Sequence, residues 1–131
     1  MSLDSNTIQA AVYAYLTDAS ICGGRVYDNP EQARTLEYPY IEFAGAVAVN
    51  GDDSTGDGLE WSLTLHVWSE AHGQKEANEI SDLIRAALHR KAFTTSSDID
   101  CICWFDSAQN LKADDGEGWQ AVIRLRIVAT T

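Results

Sequence analysis

Leu59-Glu60-Trp61-Ser62-Leu63-Thr64-Leu65-His66-Val67-Trp68 alternates apolar and polar side chains from Leu59 to Val67. Strand geometry sends successive side chains to opposite faces, so Leu59, Trp61, Leu63, Leu65 and Val67 share one face and Glu60, Ser62, Thr64 and His66 the other. This is a strand with one face in a core. Immediately before it, Asn50 to Gly58 contains no apolar side chain, three glycines and three aspartates, the composition of an exposed, flexible loop. Before that loop, Tyr38-Pro39-Tyr40-Ile41-Glu42-Phe43 starts another strand, because proline keeps its predecessor out of helical geometry and aromatic and β-branched residues follow. Its alternation puts Tyr40, Glu42, Ala44 and Ala46 on one face and Ile41, Phe43 and Val47 on the other. The two strands and the loop between them read as a hairpin.

Outward from the hairpin the period changes. Ile8, Ala11, Val12, Tyr15 and Leu16 follow helical spacing after the capping candidates Asp4, Ser5 and Asn6, which predicts a helix over about residues 5–18. Gly23-Gly24 ends it, Arg25 to Asp28 reads as a short extended piece, and Asn29 to Glu37 as polar connection. Downstream, Ala77, Ile80, Ile84, Ala87 and Leu88 form the stripe of a second helix over about 74–90. Its acids Glu76 and Glu79 lie early and Arg90 and Lys91 late, as the helix dipole favours. Thr94 to Ser97 is a polar connector. Ile99 to Ser107 and Trp119 to Ala129 then read as strands, joined by the turn residues Asp114 to Gly118. The predicted fold is α+β: a single, mainly antiparallel sheet of about four to five strands with two helices packed on one face.

The 131 residues are the length of one domain, 1–131, with 45% hydrophobic and 22% charged residues. No apolar run approaches the roughly 18 residues of a membrane span, and the N-terminus lacks the pattern of a secretory leader. Acids outnumber bases 20 to 9, a net charge of −11 that disfavours direct nucleic-acid binding. Three cysteines, Cys22, Cys101 and Cys103, are too few and too unevenly placed for a disulfide framework and read as reduced core thiols. Cys101 and Cys103 fall on one strand face, which makes a zinc site with His66 conceivable, but no second short ligand pair is present. Asp53 to Gly58 resembles the start of a calcium loop, yet its twelfth position is Thr64 where a bidentate glutamate is needed. No phosphate-binding glycine loop and no nucleophile or metalloprotease motif occurs. No catalytic residue, metal site or cofactor is therefore expected.

Charge is uneven along the chain. Asp52, Asp53 and Asp57 in one loop, and Asp114, Asp115 and Glu117 in the other, are candidate interaction loops, whereas Trp119 to Thr131 carries two arginines and no acid. Those arginines, Arg124 and Arg126, share a strand face, where they suit cross-strand pairing with Glu42 or Glu60, or an interface.

Several stretches, in order, resemble one family. Gly24-Arg25-Val26-Tyr27-Asp28, Tyr38-Pro39-Tyr40-Ile41, Leu63 to Ser69 with Gly73 and Glu76-Ala77, Ile84-Arg85-Ala86-Ala87-Leu88, and Asp114-Asp115-Gly116 with Trp119 to Arg126 are similar to phage and prophage tail-completion proteins. These are also called tail terminators and have relatives in gene transfer agents. The resemblance implies a non-enzymatic structural protein of the virion tail, or of the host cytoplasm during assembly. It implies an α+β domain that forms a ring, commonly a hexamer, caps the tail tube and contributes to head-tail joining. Its partners would be itself, the tail-tube protein and a head-completion protein, with no direct nucleic acid and no membrane. A ring would set the acidic loops against basic partner surfaces. A head-tail connector or adaptor, and a small acidic binding module unrelated to phage, are the alternative readings.

Overall fold

A computed structural model describes residues 3–28, 37–54, 56–113 and 117–131. Helix α1 is Ser5–Asp18, capped by Asp4, whose carboxylate accepts the Asn6 N–H at 2.9 Å. Ile8, Val12 and Leu16 are its buried stripe. A 3-10 turn at Ile21–Gly24 leads into β1, Val26–Tyr27. Then come β2 (Tyr40–Asn50), β3 (Gly58–Ser69), helix α2 (Lys75–Leu88), β4 (Lys91–Thr94), β5 (Asp100–Lys112) and β6 (Trp119–Thr130). They form one sheet in the order β1-β2-β3-β6-β5-β4, curled into a half-barrel.

The sheet has six strands, not four to five, and it is mixed rather than mainly antiparallel. The extra strand, β4, is a four-residue segment directly after α2 with only Phe93 buried, too short to show a period. Mixing comes from β1, which lies parallel to β2 with Val26 beside Ile41; the other pairings are antiparallel. Two residues carry no alternation from which direction could be read. Helix α2 also ends earlier than its spacing predicts. His89 is already extended and Arg90 turns the chain at φ 60°, so Arg90 and Lys91 lie beyond the helix and Arg85 is the base of its last turn.

Two β-bulges reset the faces of the outer strands. Phe43 lies opposite Leu65, but Gly45 lies opposite Thr64, so Ala44 is an inserted residue. Past it, Ala46 and Ala48 face the same side as Leu63 and Trp61, while Val47 and Val49 face the side of Ser62 and Glu60. Val47 is thus not on the face of Ile41 and Phe43, as unbroken alternation predicts; it is 63% exposed on the other. The second bulge, at Asp106, does the same in β5, where Phe105 lies opposite Leu125 and Ser107 opposite Arg124. Both bulges sit on the row where Thr64 pairs with Arg124.

The apolar face of β3 and β6, from Trp61, Leu63, Leu65 and Val67 to Ala121, Ile123, Leu125, Ile127 and Ala129, joins the buried stripes of both helices in one cluster. Both helices pack on that face, as the sequence predicts. At roughly 25 cal/mol per Å² of apolar surface removed from water, this cluster is the dominant stabilising element. Ser69 ties the end of β3 to α2 by donating its hydroxyl to Glu76 at 2.7 Å. Among the described residues, no helix is long and apolar enough to cross a membrane.

Candidate interaction surface

Among the described residues, no element covers the second sheet face. At one end it carries an aromatic and acid-base cluster: Trp68 donates its indole N–H to Glu42 at 3.0 Å, and His66 Nδ1 lies 3.5 Å from the same carboxylate oxygen. Tyr40 stacks on Trp68 and meets Tyr27 and Tyr38 edge-on or tilted. Burial pushes the Tyr40 phenol up to about 12, with Tyr38 and Glu42 adding to the rise. Toward the other side of the sheet, Arg126 Nε lies 3.5 Å from Asp106 and its guanidinium sits over Trp104 at 5.9 Å. Arg126 therefore finds its carboxylate on β5, at the bulge, rather than on Glu42 or Glu60; the bulge swings Asp106 to within reach of β6. Arg124, exposed between Thr64 and Ser107, has no ion-pair partner among the described residues. It lines a shallow groove with Gly45, Val47, Thr64, His66 and Asp106.

The first acidic loop is tied together by its own carboxylates. Asp52 accepts the Gly58 N–H at 2.9 Å and the Asn50 amide at 3.2 Å, and Asp53 accepts the Gly56 N–H at 3.1 Å. The Asp57 carbonyl accepts from the Thr131 N–H at 3.2 Å, which clips the chain end to the loop. Of the second loop, Asp114 and Asp115 lie outside the described residues; Glu117 is described and exposed. The sheet does not bring the loops together. Gly58 pairs with Thr130 at one end of the strands and Ser69 with Trp119 at the other, so the two hairpins point in opposite directions.

The zinc geometry conceivable from sequence does not form. Cys101 and Cys103 face the helix-covered side, opposite Ala129 and Ile127, whereas His66 is on the open side. Burial pushes the Cys101 thiol up to about 11, with Asp100 contributing, and the Cys103 thiol to about 12, with Asp106 and Cys101 contributing. His89 accepts the Phe105 N–H through Nδ1 at 3.0 Å, which requires the neutral ring; burial and then Arg85 and Arg90 hold its pKa below the ordinary value.

The surface that alternation alone misses is the sheet edge. β1 covers β2 only at Ile41 and Glu42, and β4 covers β5 only from Asp100 to Cys103. Past those points neither strand has an outer neighbour among the described residues: the run from Ala44 to Asn50 is exposed throughout, and so is most of the run from Asp106 to Lys112. Between Glu42 and Asp52 there is no charge and no proline, the usual guards of an edge. The signals were in the sequence as that uncharged run and as a glycine, Gly45, inside a strand.

An open sheet face and two open strand edges are the surfaces of a protein that meets other chains. Residues 9–130 match the family described as Tail completion protein gp17, and the chain belongs to that family. It is a structural protein of a phage-type virion tail. In fold it is similar to a chain in the virion of a native gene transfer agent particle, at 20% identity over 97% of each chain and a TM-score of 0.84. A second solved chain is 13% identical over 99% of this chain and 97% of its own, with a TM-score of 0.64. A comparison with curated proteins gives no match.

Proposed function

We propose that the protein is a tail terminator: identical copies associate through sheet edges and loops into a ring that caps the tail tube and contributes to head-tail joining. Six copies is the number implied by the likeness to tail terminators. The observation that carries this reading is the pair of open strand edges on opposite sides of one sheet, that of β2 without charge or proline between Glu42 and Asp52, because contacts between unlike edges of identical copies generate rings when the rotation closes. The loops support a two-sided role. They leave the sheet at opposite ends, so one rim of a ring would present Asp52, Asp53 and Asp57 and the other Glu117, before which the sequence carries Asp114 and Asp115. One rim is for the tube protein and one for the head-completion protein, each an acidic surface for a basic partner. The superposition on a gene transfer agent virion chain supports the same setting. No catalytic step is part of the reading: of the open face's carboxylates, Glu42 and Asp106 are engaged by Trp68, His66 and Arg126, and Glu60 is exposed.

Sedimentation of the purified chain with and without tail tubes tests the proposal. The expected result is a species several times 14.4 kDa that co-sediments with tubes. A strict monomer that leaves tubes bare contradicts it, and co-sedimentation with heads but not tubes would favour a connector.

A further inference from the structure

We propose that copies join by antiparallel pairing of residues 46–50 in β2 of one copy with residues 108–112 in β5 of the next, so that the sheets run on from subunit to subunit. The inference rests on the ring reading and specifies its interface. Backbone direction comes first. From β2 to β5 the strands alternate, so with the open faces on the same side a neighbour's β2 runs antiparallel to β5.

Hydrogen-bonding parity comes next. Gly51 donates its N–H to Gly58 across the hairpin, so Val49 and Val47 also direct their backbone groups to β3, and Ala46, Ala48 and Asn50 direct theirs outward. Ala113 donates to Gly118, so Leu111, Gln109 and Ser107 turn to β6, and Lys112, Asn110 and Ala108 turn outward. One register sets outward groups against outward groups: Ala46 opposite Lys112, Ala48 opposite Asn110, and Asn50 opposite Ala108. Each such pair exchanges two bonds, about six in all.

That register also matches side chains. On the open face it places Val47 beside Leu111 and Val49 beside Gln109; Val47, Val49 and Leu111 are three of the six large apolar residues exposed among the described residues, at 63%, 56% and 40%. It matches charge as well. The loop tip with Asp52, Asp53 and Asp57 then runs along the neighbour's β5 toward the start of its β4, where Arg90 and Lys91 are exposed. The free part of β2 is at one end of the sheet and that of β5 at the other, so neighbours slide along the strand direction. A stagger of this kind, with tilted strands, is what closing a sheet into a barrel requires.

Two variants of the full chain test the interface, each with tail tubes present. Ala48→Pro removes an N–H that β3 does not use, so the circular dichroism spectrum should stay that of the native chain while the ring-sized species falls at least about tenfold. Val49→Cys with Gln109→Cys should give, under mild oxidation, a ladder of disulfide-linked multimers that stops at one closed size. Each single variant should go no further than dimers, since its one added thiol faces Gln109 or Val49 of the neighbour, and β3 and β6 separate the two positions within one copy of the double variant. A ring without the ladder overturns this interface and leaves the ring standing. A wild-type chain that never assembles overturns both.

Discussion

At the residue scale, single positions are decided by backbone contact and by burial of polar atoms. Gly118 has φ 130°, and a Cβ there would run into the Ser69 carbonyl, whereas a Cβ on Gly45 meets nothing within 4 Å. Gly118→Ala should therefore lower stability by about 2–4 kcal/mol and Gly45→Ala by about 0.5 kcal/mol or less, read from urea midpoints; equal losses would contradict the geometry. Sequence marks Gly118 only as one turn residue among five, because what excludes a side chain there is a carbonyl 49 positions earlier in the chain. The thiols make a pH prediction. Cys101 and Cys103 are raised in the fold to about 11 and about 12 from 9.0, and Tyr40 to about 12 from 10.0. A raised folded value stabilises fully below the unfolded one and is lost as pH climbs through the folded one, so stability should fall between about pH 9 and 12. The urea midpoint should be lower at pH 10.5 than at pH 7.5, and the drop smaller in a C101A/C103A variant. An unchanged drop in that variant would show that these thiols are not desolvated.

At the element scale, alternation locates strands well and faces only up to the first bulge. β3 and β6 are continuous, and each of their core residues follows from period two; α1 and α2 follow equally well from their apolar stripes. β2 and β5 each carry one extra residue, so the face of Val47 cannot be had by counting from Phe43. β4 is visible only as the neighbour of a strand already placed, and β1 reads as a short extended piece whose parallel direction the sequence does not give. A consequence is that Val47, apolar in a strand, is a surface residue of the isolated chain. Val47→Lys should change the unfolding free energy by no more than about 0.5 kcal/mol while reducing assembly on tubes. A loss of about 1 kcal/mol or more would mean that Val47 is in a core, and the bulge misplaced.

At the scale of the whole molecule, the sequence was most informative about kind and least about surfaces. The two hairpins and two helices led to an α+β domain, the order of short motifs to a likeness with tail-completion proteins, and the match over residues 9–130 establishes that family. The acidic residues were legible as loops, but not their arrangement: the two loops leave opposite ends of the sheet because β3 and β6 run antiparallel at its centre. Arg126 was legible as a pairing residue, but its partner Asp106 sits at a bulge that no local signal announces. A curled sheet with helices on one side, an open face and two open edges among the described residues suits a subunit completed by its neighbours. Growth of tail tubes from purified tube protein, followed by electron microscopy with and without this chain, tests that claim most directly. Tubes should stop lengthening when the chain is added, each ending in a ring; tubes that elongate to the same length with bare ends would contradict the account.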